Sequence, residues 1–308
     1  MRSSVIVRGK PGFLALFFVY HGSIIPRVIP QILLVALLSS VVVWVHLKFP
    51  SLFPQLNTAS FGFIGIALSL YLGFRNNACY DRWWEGRRLW GQLLFEGRSL
   101  LRLGLSYGGG QSALHRHIVQ CLMAFTDCLR DQLRNQDPMP KVRRWLSAAD
   151  CATVDQAVNR PDRILQLIGE QIALEVSKGA IDSVTARNFE QRLVALSAVQ
   201  AGCERIFTTP IPFAYMLLVH RVCYIYCFLL PFGLVADSGL ATPLLTAIVA
   251  YAFFGLDELS CDLEQPFAIN DNGLALNALT RTLERECLQT LGEHPLPPPV
   301  ASHNYRLN

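Results

Sequence analysis

Four long runs of apolar residues without acidic side chains limit this chain's possible folds more than any other feature. They are Val28–Val45, Phe49–Phe74, Pro210–Val235 and Ser238–Leu256. Only the third run contains ionisable basic residues, His220 and Arg221. Helices of this length cover about 30 Å of hydrocarbon, because each residue adds about 1.5 Å. Since only 16% of the 308 residues are charged and 52% are hydrophobic, the sequence predicts an integral membrane protein with four transmembrane helices.

Basic residues beside these runs predict the orientation of the chain in the membrane. Those that flank the first two runs are Arg2, Arg8, Lys10, Arg27, Arg75, Arg82, Arg87 and Arg88. The short links 48–51 and 237–240 contain a single basic residue, Lys48. We therefore expect both termini and the long middle region to lie in the cytoplasm.

The N-terminal run Gly12–Tyr20 is too short to cross a bilayer, and it favours a helix that lies in the membrane interface. A leader peptide is the alternative interpretation, although residues 21–30 lack the small-residue pattern of a cleavage site.

The middle of the chain predicts amphipathic helices rather than strands. Between Arg75 and Thr209, charges of both signs alternate with apolar residues at helical spacing. We expect loops at Leu103–Gln111 and Asn135–Pro140 because glycine, proline and polar residues cluster there. The proline-rich tail Gly292–Asn308 should be non-helical, as a wrapped or mobile arm that could latch onto a neighbouring subunit.

The predicted fold is thus all-α, with four transmembrane helices per subunit and a cytoplasmic helical bundle. We expect four regions: 1–74, with the interfacial helix and spans one and two; 75–209, the cytoplasmic helices; 210–260, with spans three and four; and 261–308, the cytoplasmic C-terminal segment.

The second span carries two adjoining stripes with different side-chain sizes. Ile66, Leu70 and Phe74 repeat every four residues and form a bulky stripe, beside which Gly65, Ser69 and Gly73 form a small one. Small residues let neighbouring helices approach closely. Lipid contact and core packing are the more common reasons for a bulky apolar stripe. If several copies surround an axis, however, the same stripe makes a hydrophobic constriction that gates ions.

Other candidate functional residues point to no enzyme, metal or cofactor. The nine cysteines form no CxxC pair and none falls in a short external link, so we expect them to be reduced. Cys223 and Cys227 lie one helical turn apart, but the sequence offers no third ligand at the right spacing, which favours packing over metal binding. No HExxH motif is present, and no basic run with aromatics suggests nucleic acid.

Five segments together resemble the bestrophin family, in particular its bacterial members. They are His21–Arg27 (HGSIIPR), Phe74–Gly91 (FRNNACYDRWWEGRRLWG), Pro210–Tyr215 (PIPFAY), Leu230–Val235 (LPFGLV) and Asp262–Phe267 (DLEQPF). They stand in the family's order and cover nearly the whole chain. Taken without the others, the tryptophan-rich segment is also typical of a collar at the membrane boundary.

The resemblance implies a homo-pentameric ion channel in a bacterial inner membrane, with span two around a central pore. By position, Ile66, Leu70 and Phe74 correspond to the family's three-ring neck, with Gly65, Ser69 and Gly73 as packing positions at the pore. Val184 corresponds to its second constriction, the cytosolic aperture. The implied partners are further copies of the chain, membrane lipid and permeant monovalent ions.

The resemblance leaves the sign of the permeant ion open. Animal members are calcium-activated chloride channels, whereas bacterial relatives are associated with monovalent cation conduction. The aliphatic Leu70 resembles the bacterial pattern and leads us to expect cations, with an anion channel as the alternative. Among residues 268–273 only Asp271 is acidic, which predicts no tight calcium site and no calcium activation.

Two further questions remain open from the sequence. His220 and Arg221 within span three predict either a role along an ion pathway or a structural pair with an acid at a helix end, such as Asp257 or Asp81. A transporter and a non-conducting structural protein are the rival classes. Four unlike spans without a repeat argue against the first, and a structural protein would show no ion flux.

Overall fold

The computed structural model describes residues 22–52, 57–108 and 112–301, so the interfacial helix predicted at Gly12–Tyr20 lies outside the described residues. Within these ranges all regular structure is helical, as the sequence predicted. The helices are α1 Ile25–Lys48, α2 Thr58–Tyr107, α3 Ala113–Gln132, α4 Met139–Val142, α5 Ala148–Gln156, α6 Arg160–Ser177, α7 Ser183–Thr208, α8 Phe213–Ser238, α9 Thr242–Glu264 and α10 Leu276–Thr290. Short 3₁₀ turns occur at Pro50–Leu52 and Gly239–Ala241.

The chain divides into two compact units that share the 50-residue helix α2. The described residues of the apolar unit are 22–52, 57–83 and 210–265. Those of the polar unit are 84–108, 112–209 and 266–301.

The helices of the apolar unit are long and apolar enough to cross a membrane. The stretches that meet this criterion are Ile25–Lys48, Thr58–Tyr107 and Phe213–Glu264. The last stretch contains two helices, α8 with 26 residues and α9 with 23 residues, separated by a 3₁₀ turn. Each of these two exceeds the roughly 20 residues that one crossing requires.

Helices α8 and α9 pack as an antiparallel pair. The rings of Tyr226 and Phe253 lie edge to face, with 5.4 Å between their centroids. Earlier in α8, the Nδ1 atom of His220 contacts Asp257, which lies later in α9. An earlier residue of α8 thus contacts a later residue of α9, which means that the two helices run in opposite directions. The chain reverses at the turn between them, where Gly239 adopts a positive φ of 49°.

The polar unit is built around α3, which is buried on nearly every side. Leu122, Met123 and Phe125 on this helix are fully enclosed. Four helices of this unit, α3, α5, α6 and α7, begin with side-chain caps: Ser112, Ser147, Asn159 and Asp182 each accept a hydrogen bond from a backbone N–H of the first turn of their helix. Such caps satisfy donors that have no partner within the helix, and they fix where each helix starts.

Helix α2 differs in its limits from the sequence expectation. It starts at Thr58 rather than near Phe49, and it continues to Tyr107 through part of the predicted loop Leu103–Gln111. Gly104 explains the extension, because a Cβ there would lie 3.0 Å from Nδ1 of His115 and 3.1 Å from Ile118. The glycine thus permits α2 to pack closely on α3. The described part of the tail, 292–301, is non-helical as expected.

Candidate pore-lining helix

The first half of α2 has one face buried in the apolar unit. Gly65, Leu68, Leu72, Arg75 and Cys79 are buried, at spacings of three and four residues. Leu68 and Leu72 join a buried cluster to which α1, α8 and α9 also contribute. This face fixes the rotation of the helix and hence the direction of its remaining side chains.

The bulky residues Ile66, Leu70 and Phe74, here called the exposed stripe, lie on the opposite face. At about 100° per residue, the directions of these three side chains differ by about 180° around the helix axis from those of the buried residues. Their exposed fractions are 63%, 59% and 64%. The exposed stripe therefore does not pack in the core of its own subunit. Its apolar surface can contact lipid or a second subunit, or it can line a pore.

The small stripe divides into an enclosed and an open part. A Cβ at Gly65 would lie 2.6 Å from the hydroxyl oxygen of Tyr226, so glycine is required for α2 to approach α8 here. A Cβ at Gly73 would have no atom of the described residues within 4 Å. Ser69 is exposed and its hydroxyl donates to the carbonyl oxygen of Gly65 at 2.8 Å. Ser69 and Gly73 thus leave a shallow apolar surface beside the exposed stripe.

Directly after Phe74, the chain buries a charged group. The guanidinium of Arg75 forms an ion pair with Asp257 of α9, and both side chains are almost fully enclosed. A second nitrogen of Arg75 lies 3.2 Å from Sγ of Cys261. The other carboxylate oxygen of Asp257 lies 2.5 Å from Nδ1 of His220. We call these four residues the polar anchor, because they tie α2 to α8 and α9 at the end of the exposed stripe.

The two basic residues of span three therefore have different surroundings. His220 makes the contact with Asp257 that the structural alternative proposed, and its ring packs on Tyr224 with 4.6 Å between ring centroids. Arg221 is exposed and forms no ion pair with any described residue. The geometry gives His220 a structural partner and leaves Arg221 at the surface.

Val184 lies in the first turn of α7, and 70% of its surface is exposed. The carboxylate of Asp182 accepts hydrogen bonds from the backbone N–H groups of Val184 and Thr185, at 2.8 and 2.9 Å. The Thr185 hydroxyl and these N–H groups lower the pKa of Asp182 below its ordinary value. A carboxylate that is ionised at neutral pH therefore lies two residues from the candidate aperture.

The remaining candidates concern metals. Cys223 and Cys227 are fully buried among apolar side chains, as the packing interpretation requires. Among the described residues, no group of three or more His, Cys, Asp or Glu side chains is arranged to hold a metal ion.

Sequence reasoning missed the pairing of Arg75 with Asp257. The signal was present in the spacing, because Arg75 continues the buried series three residues after Leu72. Arg75 is also the first charged residue after the uncharged run Phe49–Phe74, and Asp257 is the first charged residue after the uncharged run Ser238–Leu256. Two such charges of opposite sign at the ends of neighbouring apolar helices favour a buried pair.

Residues 5–289 match the family described as Bacterial/Fungal Bestrophin protein. A voltage-dependent anion channel-forming protein of Mesorhizobium japonicum is 45% identical over 294 residues, which cover 96% of this chain and 94% of that protein. One from Ralstonia nicotianae is 37% identical over 306 residues, covering 99% of this chain and 100% of that protein.

The fold is also similar to solved structures. The crystal structure of a bacterial bestrophin homologue from Klebsiella pneumoniae has a TM-score of 0.84 and 37% sequence identity. The match covers 87% of this chain and 99% of the Klebsiella chain.

Proposed function

This chain belongs to the bacterial bestrophins, a family of membrane ion channels, and we propose that five copies form a channel for monovalent ions with α2 around the pore. The single observation that carries the proposal is the exposed stripe. Ile66, Leu70 and Phe74 point away from the subunit's own core on a helix whose opposite face is buried. In a five-fold arrangement each residue would form an apolar ring, and such a constriction gates ions by excluding water.

Four membrane crossings, by α1, α2, α8 and α9, are part of this proposal. An even number of crossings places both ends of the chain on the same side. From the basic residues that flank the first two spans, we infer that this side is the cytoplasmic face of a bacterial inner membrane. The proposed regions then remain 1–74, 75–209, 210–260 and 261–308. Fusion of a reporter enzyme that is active only outside the cytoplasm, at residue 240 and at the C-terminus, tests this arrangement.

We propose that Val184 forms a second constriction, and that the channel favours cations. The ionised carboxylate of Asp182 beside Val184 supports this sign, because five such groups would attract cations and repel anions at a narrow opening. An anion channel is the second candidate. It is favoured by the name of the relatives from Mesorhizobium and Ralstonia, which are described as anion channel-forming proteins.

The test is ion flux from proteoliposomes under a KCl gradient. Truncation of an apolar ring widens the constriction, so Leu70→Ala and Phe74→Ala should each raise the flux several-fold above that of the wild type. Leu37→Ala is the matched control, because Leu37 on α1 is also exposed, at 64% against 59% for Leu70, and makes no part of the exposed stripe. Its flux should equal that of the wild type.

The reversal potential in the same experiment gives the sign of the permeant ion. Native mass spectrometry of the same preparation should give five subunits of 34.4 kDa each. If pentameric protein is silent in all variants, the chain is a structural membrane protein or a transporter. If Leu37→Ala raises the flux as much as Leu70→Ala, the exposed stripe is not the constriction.

A further inference from the structure

A cationic cavity lies in the polar unit, and none of the residues assigned above to conduction lines it. Its volume is about 290 Å³. It is lined by residues from α3, α4 and the turn after it, α10 and the C-terminal tail: Asp127, Arg130, Lys141, Arg144, Asn277, Thr280, Arg281, Glu284 and Val300. The lining thus combines four basic side chains with two carboxylates.

The ion pairs around the cavity use only part of its donors. Arg130 donates from Nε to Asp131 and from Nη1 to Asp127, each at 2.8 Å, and Lys141 also pairs with Asp131. The second terminal nitrogen of Arg130, Nη2, is buried and has no hydrogen-bond partner among the described residues. Arg130 is only 5% exposed, so bulk water does not solvate this nitrogen. An unsatisfied guanidinium nitrogen of this kind carries a desolvation cost, which an acceptor that reached it from the cavity would remove.

Other lining residues also carry donors. The hydroxyl of Thr280 is buried and has no partner within the part of the chain that the structure describes. The amide oxygen of Asn277 accepts from Arg134 at 2.9 Å, which leaves its nitrogen as a donor. Arg144 is held over the indole ring of Trp145, with 5.8 Å from Cζ to the ring centroid, and forms no ion pair with a described residue. The free groups are thus cationic or hydrogen-bond donors.

We propose that this cavity binds a small phosphate-bearing molecule. A phosphate group accepts several charge-assisted hydrogen bonds at once and matches the planar fork of arginine. Its negative charge would offset the excess of basic side chains. The volume accommodates a phosphate with a small substituent. The proposed ligand is therefore inorganic phosphate or a small phosphate ester.

The carboxylates of the lining give the site a dependence on pH. Burial raises the pKa of Glu284 above its ordinary value, although its partner Arg281, 3.0 Å away, acts in the opposite direction. Arg130 and Arg144 also favour the ionised form of this carboxyl, and Asp127 opposes it. Protonation of Glu284 on acidification removes a negative charge from the lining, so wild-type affinity should approach that of Glu284→Gln as the pH falls, because the phosphate itself titrates equally in both proteins.

The test is calorimetric titration of the purified full-length protein in detergent, with inorganic phosphate and with glycerol 3-phosphate. Chloride is exchanged to keep the ionic strength constant. Arg144→Gln removes an exposed donor, and loss of one charge-assisted hydrogen bond should weaken binding about tenfold. Arg143→Gln is the matched control, because Arg143 is the preceding residue and lines a different hollow. It should bind phosphate as the wild type does.

The variant Glu284→Gln gives a change in the opposite direction. It removes a negative charge without a large change in shape, so at neutral pH it should bind phosphate more tightly than the wild type, and this difference should shrink as the pH falls. Tighter binding of glycerol 3-phosphate than of inorganic phosphate would identify an ester as the occupant, and equal or weaker binding would identify free phosphate. The proposal is overturned if neither compound binds saturably, or if Arg144→Gln and Arg143→Gln bind alike. The titration measures the heat of binding and not an ion current, so its result does not depend on whether the protein conducts ions.

Discussion

Arg75 and Asp257 form a buried ion pair between α2 and α9, one residue after Phe74, the last member of the exposed stripe. A long charged side chain is costly in an apolar helix bundle unless a partner neutralises it. The pair therefore holds the end of the exposed stripe at a fixed rotation relative to α9.

Removal of one member of this pair should destabilise the protein strongly. Asp257→Asn leaves the buried charge of Arg75 without a carboxylate, which costs about 3–5 kcal/mol. Arg75→Gln leaves Asp257 with His220 as its remaining partner and should cost less. The double variant leaves none and should be less destabilised than the sum of the two. Thermal unfolding in detergent measures all three. Arg221→Gln is the control, because Arg221 is exposed on α8. Additive effects of the two single variants would contradict the pairing.

The long apolar helices were predictable because charge-free runs of this length have few alternatives to a membrane helix. Positions 65, 68, 72, 75 and 79 repeat at helical spacing, so the sequence also places them on one face of α2. What was not predictable is which partner each face meets. Gly104 lies close to His115 of α3, and this contact accompanies the extension of α2 into a glycine-rich segment. Such a contact depends on residues that lie apart in sequence, and so does the ion pair of Arg75 with Asp257.

The exposed stripe shows the same limit for the candidate site. The spacing of Ile66, Leu70 and Phe74 predicts that they share a face but does not tell whether that face is buried. The structure excludes the subunit's own core for this face, because the core lies on the other side of α2. The small stripe was predicted as one surface, yet Gly65 serves contact within the subunit while Gly73 is open.

The two glycines should therefore respond differently to the same substitution. Gly65→Ala places a methyl group against the hydroxyl of Tyr226 and should lower the melting temperature of the subunit. Addition of Tyr226→Phe removes the closest atom and should restore part of the loss. Gly73→Ala meets nothing in the subunit and should leave its helical content unchanged. If Gly73 packs against a neighbouring subunit, this variant should instead shift the pentamer towards smaller species in native mass spectrometry. Equal melting temperatures for Gly65→Ala and Gly73→Ala would contradict the assignment.

The cysteines should be largely inert in the native protein. All nine are free, and eight are buried, with Cys261 partly exposed. In the polar unit, burial raises the pKa of Cys128 and of Cys203 to about 12, which leaves almost no thiolate at neutral pH. Intact-mass analysis after treatment with a maleimide should show at most one label per native chain and nine after denaturation. Several labels before denaturation would show that the polar unit opens readily.

Acidification should destabilise the polar unit through His115. Its ring is fully buried, and burial lowers its pKa below the ordinary value of 6.5, although a hydrogen bond with Thr290 opposes this. As the pH falls below about 6.5, the unfolded chain therefore binds a proton that the folded state resists. The free energy of unfolding should decrease by up to about 1.4 kcal/mol per pH unit in this range. His115→Gln should flatten the decrease measured by denaturant unfolding between pH 7 and 5, and parallel curves for the two proteins would contradict it.

The sign of the permeant ion should depend on Asp182 if Val184 forms a constriction. Asp182→Ser removes the carboxylate but keeps a side-chain oxygen that can cap α7, so the helix should start at the same residue. In a pentamer the substitution removes five negative charges near the opening. The reversal potential under a KCl gradient should therefore move towards that of chloride, and most strongly at low ionic strength, where screening is weak.

Glu170→Gln is the control, because Glu170 is an exposed carboxylate on α6 that pairs with Arg163. An equal shift in both variants would mean that surface charge in general sets the selectivity, and no shift in either would place Asp182 away from the ion pathway.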